Sequence, residues 1–186
     1  MNAATEFDLG PLTWVKGEID AALDRAGEAL GQFREEKDAT KLKFCRTHIH
    51  QVRGALAIVG LDGVTQVTEA LEELLSGLEA DGGKATDEML GVVERAVSAI
   101  RQYLDDLMAG EPNQPLRLLP AYRAINEARG AARIRPSDLF FPDLSIRPPK
   151  RAEPVARISP EEFRACLKRE RMRFQKGLLS WLRHPQ

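Results

Sequence analysis

The chain has 186 residues, of which 43% are hydrophobic and 30% charged, a composition ordinary for a globular domain with room for an appendage. Its net charge of -1 provides no overall basic field, so we expect no nucleic-acid partner. No stretch approaches the roughly 20 apolar residues of a membrane-spanning helix, and the N-terminus lacks the basic and apolar regions of a signal peptide. These features favour a cytoplasmic protein.

The first part of the chain carries apolar residues at alternating steps of three and four, the spacing of one buried helix face. One such stripe covers residues 12–33. A second covers 42–59, with Asp38 or Thr40 as its N-cap and Gly60 at its end. Each stripe predicts an amphipathic helix.

Two more stripes of this kind follow. A third helix is predicted from near Asp62, and a fourth from the N-cap Thr86 after a break at 81–86. A fifth, weaker helix is expected at about 116–130, although Pro120 lies inside it. No alternating run is long enough for a strand. Four long helices joined by short loops predict an all-α fold, an antiparallel helical bundle.

We expect the bundle to occupy residues 1–131, and two segments of different character to follow it. Residues 132–158 contain five prolines and no helical period, which predicts an extended arm or linker. Residues 159–186 open with Ser-Pro-Glu-Glu, a capping box, and predict a C-terminal amphipathic helix with seven Lys or Arg against three Glu. We expect this helix to pack on the bundle. The arm is too apolar for a free linker and should also pack on a helical surface, through Leu139, Phe140, Phe141, Leu144 and Ile146.

The cysteines and histidines do not form a metal site by spacing. Cys45 and Cys166 lie on predicted apolar helix faces, so we interpret both as small buried hydrophobes without a disulfide. His48 and His50 share no helix face, and no further ligands accompany Cys45 and His48. A phosphate loop and an ATP-binding motif are also lacking. We therefore expect no metal, no cofactor and no autophosphorylation by this chain.

His50 has the position of an exposed nucleophile. A helix turns by about 100° per residue, which places His50 about 220° from the mean direction of the apolar stripe. An exposed neutral imidazole can attack phosphorus, and phosphoryl transfer mainly needs cations near the moving group. Arg53 can provide such a charge, and Gly54 can clear a path for a partner's loop. The residues predicted to share the His50 side of the helix are Lys43, Arg46, Thr47, Arg53, Gly54 and Ala57.

Two plainer interpretations of this helix remain open. The cations around His50 can be an ordinary solvated face. Gly54, which costs about 0.5–1 kcal/mol relative to alanine inside a helix, can equally mark a close contact between two helices.

The run His50-Gln51-Val52-Arg53-Gly54-Ala55, followed by Val59-Gly60, resembles the signature of the histidine phosphotransfer (Hpt) family. That signature is a histidine, any residue, a hydrophobic residue, lysine, glycine and a small residue; Arg53 stands here in place of the lysine. The resemblance implies a helical bundle that exchanges a phosphoryl group with an aspartate of a response-regulator receiver domain. His50 would be the phospho-acceptor, assisted by Arg53 and Gly54. Contacts with the partner are expected from Lys43, Arg46 and Ala57.

A wider resemblance covers the chain from Leu12 to about Arg183. The segments "LTWVKGEI", "FCRTHIHQVRGAL", "DLFFPDLS" and "RFQKGLLSWLR" resemble the N-terminal region of the ChpA/PilL-type hybrid histidine kinases of type IV pilus chemosensory systems, and the FimL-like scaffold proteins of twitching motility. This implies the N-terminal part of a longer histidine kinase.

Two functions follow from these resemblances. The first is a signalling scaffold that binds other pilus chemosensory proteins or forms a homodimer, and the sequence favours it. The second is an active Hpt domain in which His50 exchanges phosphoryl with a receiver aspartate.

Overall fold

A computed structural model describes residues 9–81, 85–131, 133–142 and 159–183, except the side chain of Trp181. All regular structure in these ranges is helical, so the predicted all-α fold is confirmed. The chain divides into two compact units, Met1–Ile146 and Arg147–Gln186. The predicted three-part division at 131 and 158 stays a prediction. The α-helices are α1 (Gly10–Glu36), α2 (Ala39–Val59), α3 (Asp62–Ala80), α4 (Asp87–Met108), α5 (Leu119–Ala128) and α6 (Pro160–Arg183).

The four predicted stripes form the core of the first unit. α1 packs on α2 and α4, α2 packs on α3, and α5 packs across α3 and α4. The inward side chains are buried, among them Phe33, Leu56, Leu71 and Leu104. Full burial of each such side chain stabilises the fold by roughly 1.5–3 kcal/mol, so the stripes are a major source of stability for the first unit.

Helix α2 has well-defined ends. The Asp38 carboxylate accepts a hydrogen bond from the Thr40 amide at 2.9 Å, so Asp38 is the N-cap. At the other end Gly60 has φ +79°, a left-handed conformation that glycine adopts without strain. The amides of Gly60 and Leu61 donate to the carbonyls of Ala57 and Leu56 at 3.2 and 3.1 Å. This is a Schellman motif, and it reverses the chain within two residues.

The fifth helix is shorter than predicted. Pro115–Leu118 forms a 3-10 turn, and α5 begins only at Leu119. Pro120 therefore lies in the first helical turn, where its missing amide hydrogen costs no hydrogen bond. The prediction of a helix over 116–130 with an internal proline was wrong in its bounds for this reason.

The described start of the predicted arm is not extended throughout. Pro136–Leu139 forms a 3-10 turn that packs against α3 and the turn before α5. Leu139 is fully buried there, whereas Phe140 and Phe141 are exposed. Of the arm residues that were expected to pack on a helical surface, Leu139 is thus the buried one within the described part. Leu144 and Ile146 lie outside the described residues.

The second unit contains α6. Its start is the predicted capping box: the Ser159 amide donates to the Glu162 carboxylate at 2.8 Å, and the Glu162 amide donates to Ser159 Oγ at 3.2 Å. Cys166 is only partly buried, which corrects the expectation of a fully buried side chain. Packing of α6 on the bundle stays a prediction. None of the described helices is long and apolar enough to cross a membrane.

Candidate functional site on the second helix

His50 lies on the outer face of α2. Ile49 and Val52, which precede and follow it in the sequence, point to the opposite side of the helix and are buried. Its imidazole is 57% exposed. His48 is partly buried on another side of the helix, where its Nδ1 lies 3.2 Å from Gln51 Oε1. The two histidines are therefore separated as the helical geometry predicts, and only His50 is open to a partner.

A carboxylate from the neighbouring helix holds the His50 ring. Nδ1 of His50 lies 3.0 Å from Oε1 of Glu72 on α3, and the Glu72 side chain is only 14% exposed. A carboxylate accepts hydrogen bonds, so this contact assigns the proton of the neutral ring to Nδ1. The lone pair is then on Nε2. Glu72 thus fixes both the orientation of the ring and the nitrogen available for attack.

The tight turn after α2 explains why these two residues meet. Val59 ends α2 and Asp62 begins α3, so the two helices form a hairpin around Leu61. His50 and Glu72 lie the same number of residues before and after Leu61, and they therefore stand at the same level of the hairpin.

Arg53 lies one helical turn beyond His50 and is held by two carboxylates of α3. Its Nε is 3.2 Å from Glu72 Oε2, and its Nη1 is 3.6 Å from Glu69 Oε1. Its Nη2 approaches Nδ1 of His50 at 3.4 Å, a longer contact than that of Glu72 with the same nitrogen. Oε2 of Glu72 is buried and makes no well-aligned hydrogen bond with any described residue. Arg53 is the charge partner of this oxygen. The positive charge of the guanidinium is therefore balanced by Glu72 and Glu69 in the unphosphorylated protein.

The predicted ring of three cations is therefore largely paired. Arg46 Nε lies 2.8 Å from Glu79 Oε2, which binds it to α3. Lys43 is exposed and has no ion pair within the described ranges. The sequence interpretation placed the cations correctly on α2 but missed the acidic residues of α3. These acidic residues lie after Leu61 at distances in sequence similar to those of the cations before it, but this relation becomes informative only once the hairpin is known.

Gly54 faces open space. A Cβ atom built on it would have no atom within 4 Å, so the interpretation of Gly54 as a close contact between helices was wrong. Ala57 is likewise exposed. Two large apolar side chains, Phe44 and Ile58, flank this low strip and are 52% and 85% exposed. Residues 44, 47, 51, 54 and 58 recur at steps of three and four, so they form a second, outward stripe that the sequence reading had overlooked.

Within the described residues, neither the thiol of Cys45 nor a metal site adds a reactive group to this face. Cys45 is buried, and burial raises the pKa of its thiol to about 12, so the thiolate that binds metals and attacks electrophiles does not form at neutral pH. In the part of the chain that the structure describes, no three His, Cys, Asp or Glu side chains are placed to hold a metal ion.

Comparison with known proteins agrees with this fold. The family model "Hpt domain" matches residues 12–109, which is more than half of the chain and runs from α1 to the end of α4. The chain therefore belongs to the Hpt domain family. It is also similar to the scaffold protein FimL of Pseudomonas aeruginosa, at 27% identity over 175 residues. That match covers 92% of this chain but 31% of FimL, so the chain spans about a third of the length of this relative. No solved structure matches the chain.

Proposed function

We propose that the chain is a histidine phosphotransfer module in which Nε2 of His50 accepts a phosphoryl group from an aspartyl phosphate and passes it on. The observation that carries this proposal is the exposed imidazole whose Nδ1 is held at 3.0 Å by the Glu72 carboxylate. The sequence favoured a scaffold, although it also placed His50 on the exposed side of its helix. An open and oriented ring supports transfer instead.

The proposed step needs no cofactor. The Nε2 lone pair attacks phosphorus, a bond between nitrogen and phosphorus forms, and the bond from phosphorus to the aspartate oxygen breaks. The electron pair of that bond leaves with the aspartate as a carboxylate. The ring becomes an imidazolium with its proton still on Nδ1, and the Glu72 carboxylate stabilises that charge. The reverse step returns the phosphoryl group to an aspartate.

The partner would be a receiver domain that approaches the outer stripe of α2. Gly54 and Ala57 leave room beside the imidazole, and Phe44 and Ile58 offer apolar contact area on either side. Lys43, which has no ion pair in the described ranges, can meet an acidic rim on the partner.

The test is transfer of labelled phosphoryl from receiver domains encoded by the same genome, each phosphorylated with a small-molecule donor. We expect label on the wild-type chain and on His48→Gln, and none on His50→Gln. His48→Gln is the matched control because it removes an imidazole two residues away that is partly buried. Failure of every receiver domain to label the wild-type chain, or label retained by His50→Gln, would refute the proposal.

A scaffold function is the second candidate, favoured by the similarity to the scaffold protein FimL across 92% of the chain. On this alternative the exposed residues Phe44 and Ile58 bind a partner without any transfer. Retained partner binding by His50→Gln, together with an absence of label on the wild-type chain, identifies it.

The cellular setting is a further part of the proposal. The resemblance of residues 12–183 to ChpA/PilL-type kinases supports a place at the N-terminal side of a chemotaxis-type histidine kinase, in the cytoplasm, within a type IV pilus system that controls twitching motility. Deletion of the corresponding gene segment should then abolish twitching, and normal twitching would contradict this setting.

A further inference from the structure

The acidic residue Glu69 lies beside the candidate site but has no role in the proposed transfer step. It lies on α3, three residues before Glu72, and its side chain is 44% exposed. One oxygen accepts a hydrogen bond from Gln66 Nε2 at 3.3 Å. The other oxygen lies 3.6 Å from Nη1 of Arg53. Gln66 thus holds the Glu69 carboxylate in a position where it engages the guanidinium.

The guanidinium of Arg53 is a rigid fork, so its three nitrogens cannot move independently. Nε and Nη1 face the carboxylates of Glu72 and Glu69, and Nη2 faces the imidazole of His50. Glu72 is committed to the ring proton at Nδ1. Oε2 of Glu72 also holds Arg53, at 3.2 Å from Nε. Glu69 is the second carboxylate on the guanidinium, and it makes no contact with the imidazole. Release of Arg53 towards a new anion at His50 therefore depends on both carboxylates, and Glu69 is the one that can be replaced without disturbing the hydrogen bond to the ring.

A phosphoryl group on Nε2 would bring up to two negative charges to the outer end of the ring. The best cation within reach is Arg53, one helical turn away. Glu69 opposes this group in two ways, since it occupies the guanidinium and adds a negative charge of its own. An uncharged side chain at this position would leave Arg53 free to turn to the phosphoryl oxygens.

We propose that Glu69 is a positioning residue that competes with the phosphoryl group of phosphorylated His50 for Arg53. The competition weakens the phosphorylated state and favours return of the group to an aspartate. This inference rests on the proposed function, since it concerns the same histidine. It predicts that Glu69 sets how strongly the chain retains phosphoryl, a property distinct from whether His50 can be phosphorylated.

The experiment phosphorylates the purified chain with potassium phosphoramidate and follows phosphohistidine by 31P NMR. The donor's bond between nitrogen and phosphorus breaks, ammonia leaves, and the phosphoryl group bonds to the imidazole. A parallel sample of His50→Gln identifies any signal from the other histidines. The pH dependence of the His50 signal gives the pKa of its phosphoryl group, and a nearby cation lowers that pKa because it favours the dianion.

We expect Glu69→Gln to lower the phosphoryl pKa by about 0.2–0.7 units, the range that corresponds to an exposed ion pair. The matched control is Glu73→Gln, which removes a carboxylate one turn further along α3 that pairs with Arg129 instead. It should leave the pKa unchanged. In an Arg53→Gln background the effect of Glu69→Gln should shrink by at least half, because the competition acts through the guanidinium.

Equal phosphoryl pKa values in Glu69→Gln and wild type would overturn the inference. So would an undiminished effect in the Arg53→Gln background, which would reduce Glu69 to a general background charge. Phosphoramidate needs no receiver domain, so this titration decides the role of Glu69 even if every receiver domain fails to transfer. Conversely, transfer from a receiver combined with equal pKa values would refute the role of Glu69 and leave the proposed function standing.

Discussion

Replacement of Gly54 by alanine should make the protein more stable and a poorer phosphotransfer partner. Gly54 is in the interior of α2, where glycine costs about 0.5–1 kcal/mol relative to alanine. No atom lies within 4 Å of the position that the new methyl group would take, so no clash offsets this gain. The free energy of unfolding should therefore rise by the full propensity difference.

The expected gain corresponds to an increase in melting temperature of about 1–4 °C for a chain of this size. It can be measured by thermal or urea unfolding followed by circular dichroism. The second assay is the rate of phosphoryl transfer from a receiver domain to His50. A methyl group beside the exposed imidazole narrows the approach of the partner's loop, so Gly54→Ala should slow transfer at least severalfold.

Gly27→Ala is the matched control. Gly27 is also inside a helix and also has no atom within 4 Å of the added Cβ, but it lines a groove between α1 and α4. It should give a similar gain in stability and leave transfer unchanged. A loss of stability in Gly54→Ala would show that the space beside Gly54 is not open. Unchanged transfer in the stabilised Gly54→Ala variant would refute the role of Gly54 as clearance.

Two further predictions test the packing of the first unit. Gly63→Ala should destabilise the fold by about 1–3 kcal/mol in the same unfolding assay, because the new Cβ would overlap the ring of Pro115; unaltered stability would show that this contact is loose. Burial raises the pKa of the Cys45 thiol to about 12, so at pH 8 iodoacetamide should alkylate Cys166 and spare Cys45 in the folded chain, and should alkylate both in denaturant. Mass spectrometry reads the site, and equal labelling of the two cysteines in the folded protein would contradict the burial.

The individual helices and their buried faces could be predicted from the sequence, because the spacing of apolar residues within one helix depends only on that helix. The same argument placed His50 outward and on a different face from His48, as found. It could not find Glu72 or Glu69, because the direction of a side chain on one helix does not state what the next helix presents to it. That information depends on the register of the hairpin. Pro120 was misjudged for a related reason, since periodicity alone does not say where the first helical turn begins.

The register between α2 and α3 depends on the turn at Gly60 and Leu61. These two residues alone join the helices, and the amides of both are hydrogen-bonded to the end of α2. One residue inserted or deleted between His50 and Glu72 would turn one helix relative to the other by about 100° and carry the carboxylate away from the imidazole. Substitutions in the same interval leave the number of residues between His50 and Glu72 unchanged. The number of residues that separates the histidine from its carboxylate is therefore a fixed spacer, and that spacer length distinguishes an oriented histidine from one that merely matches the motif.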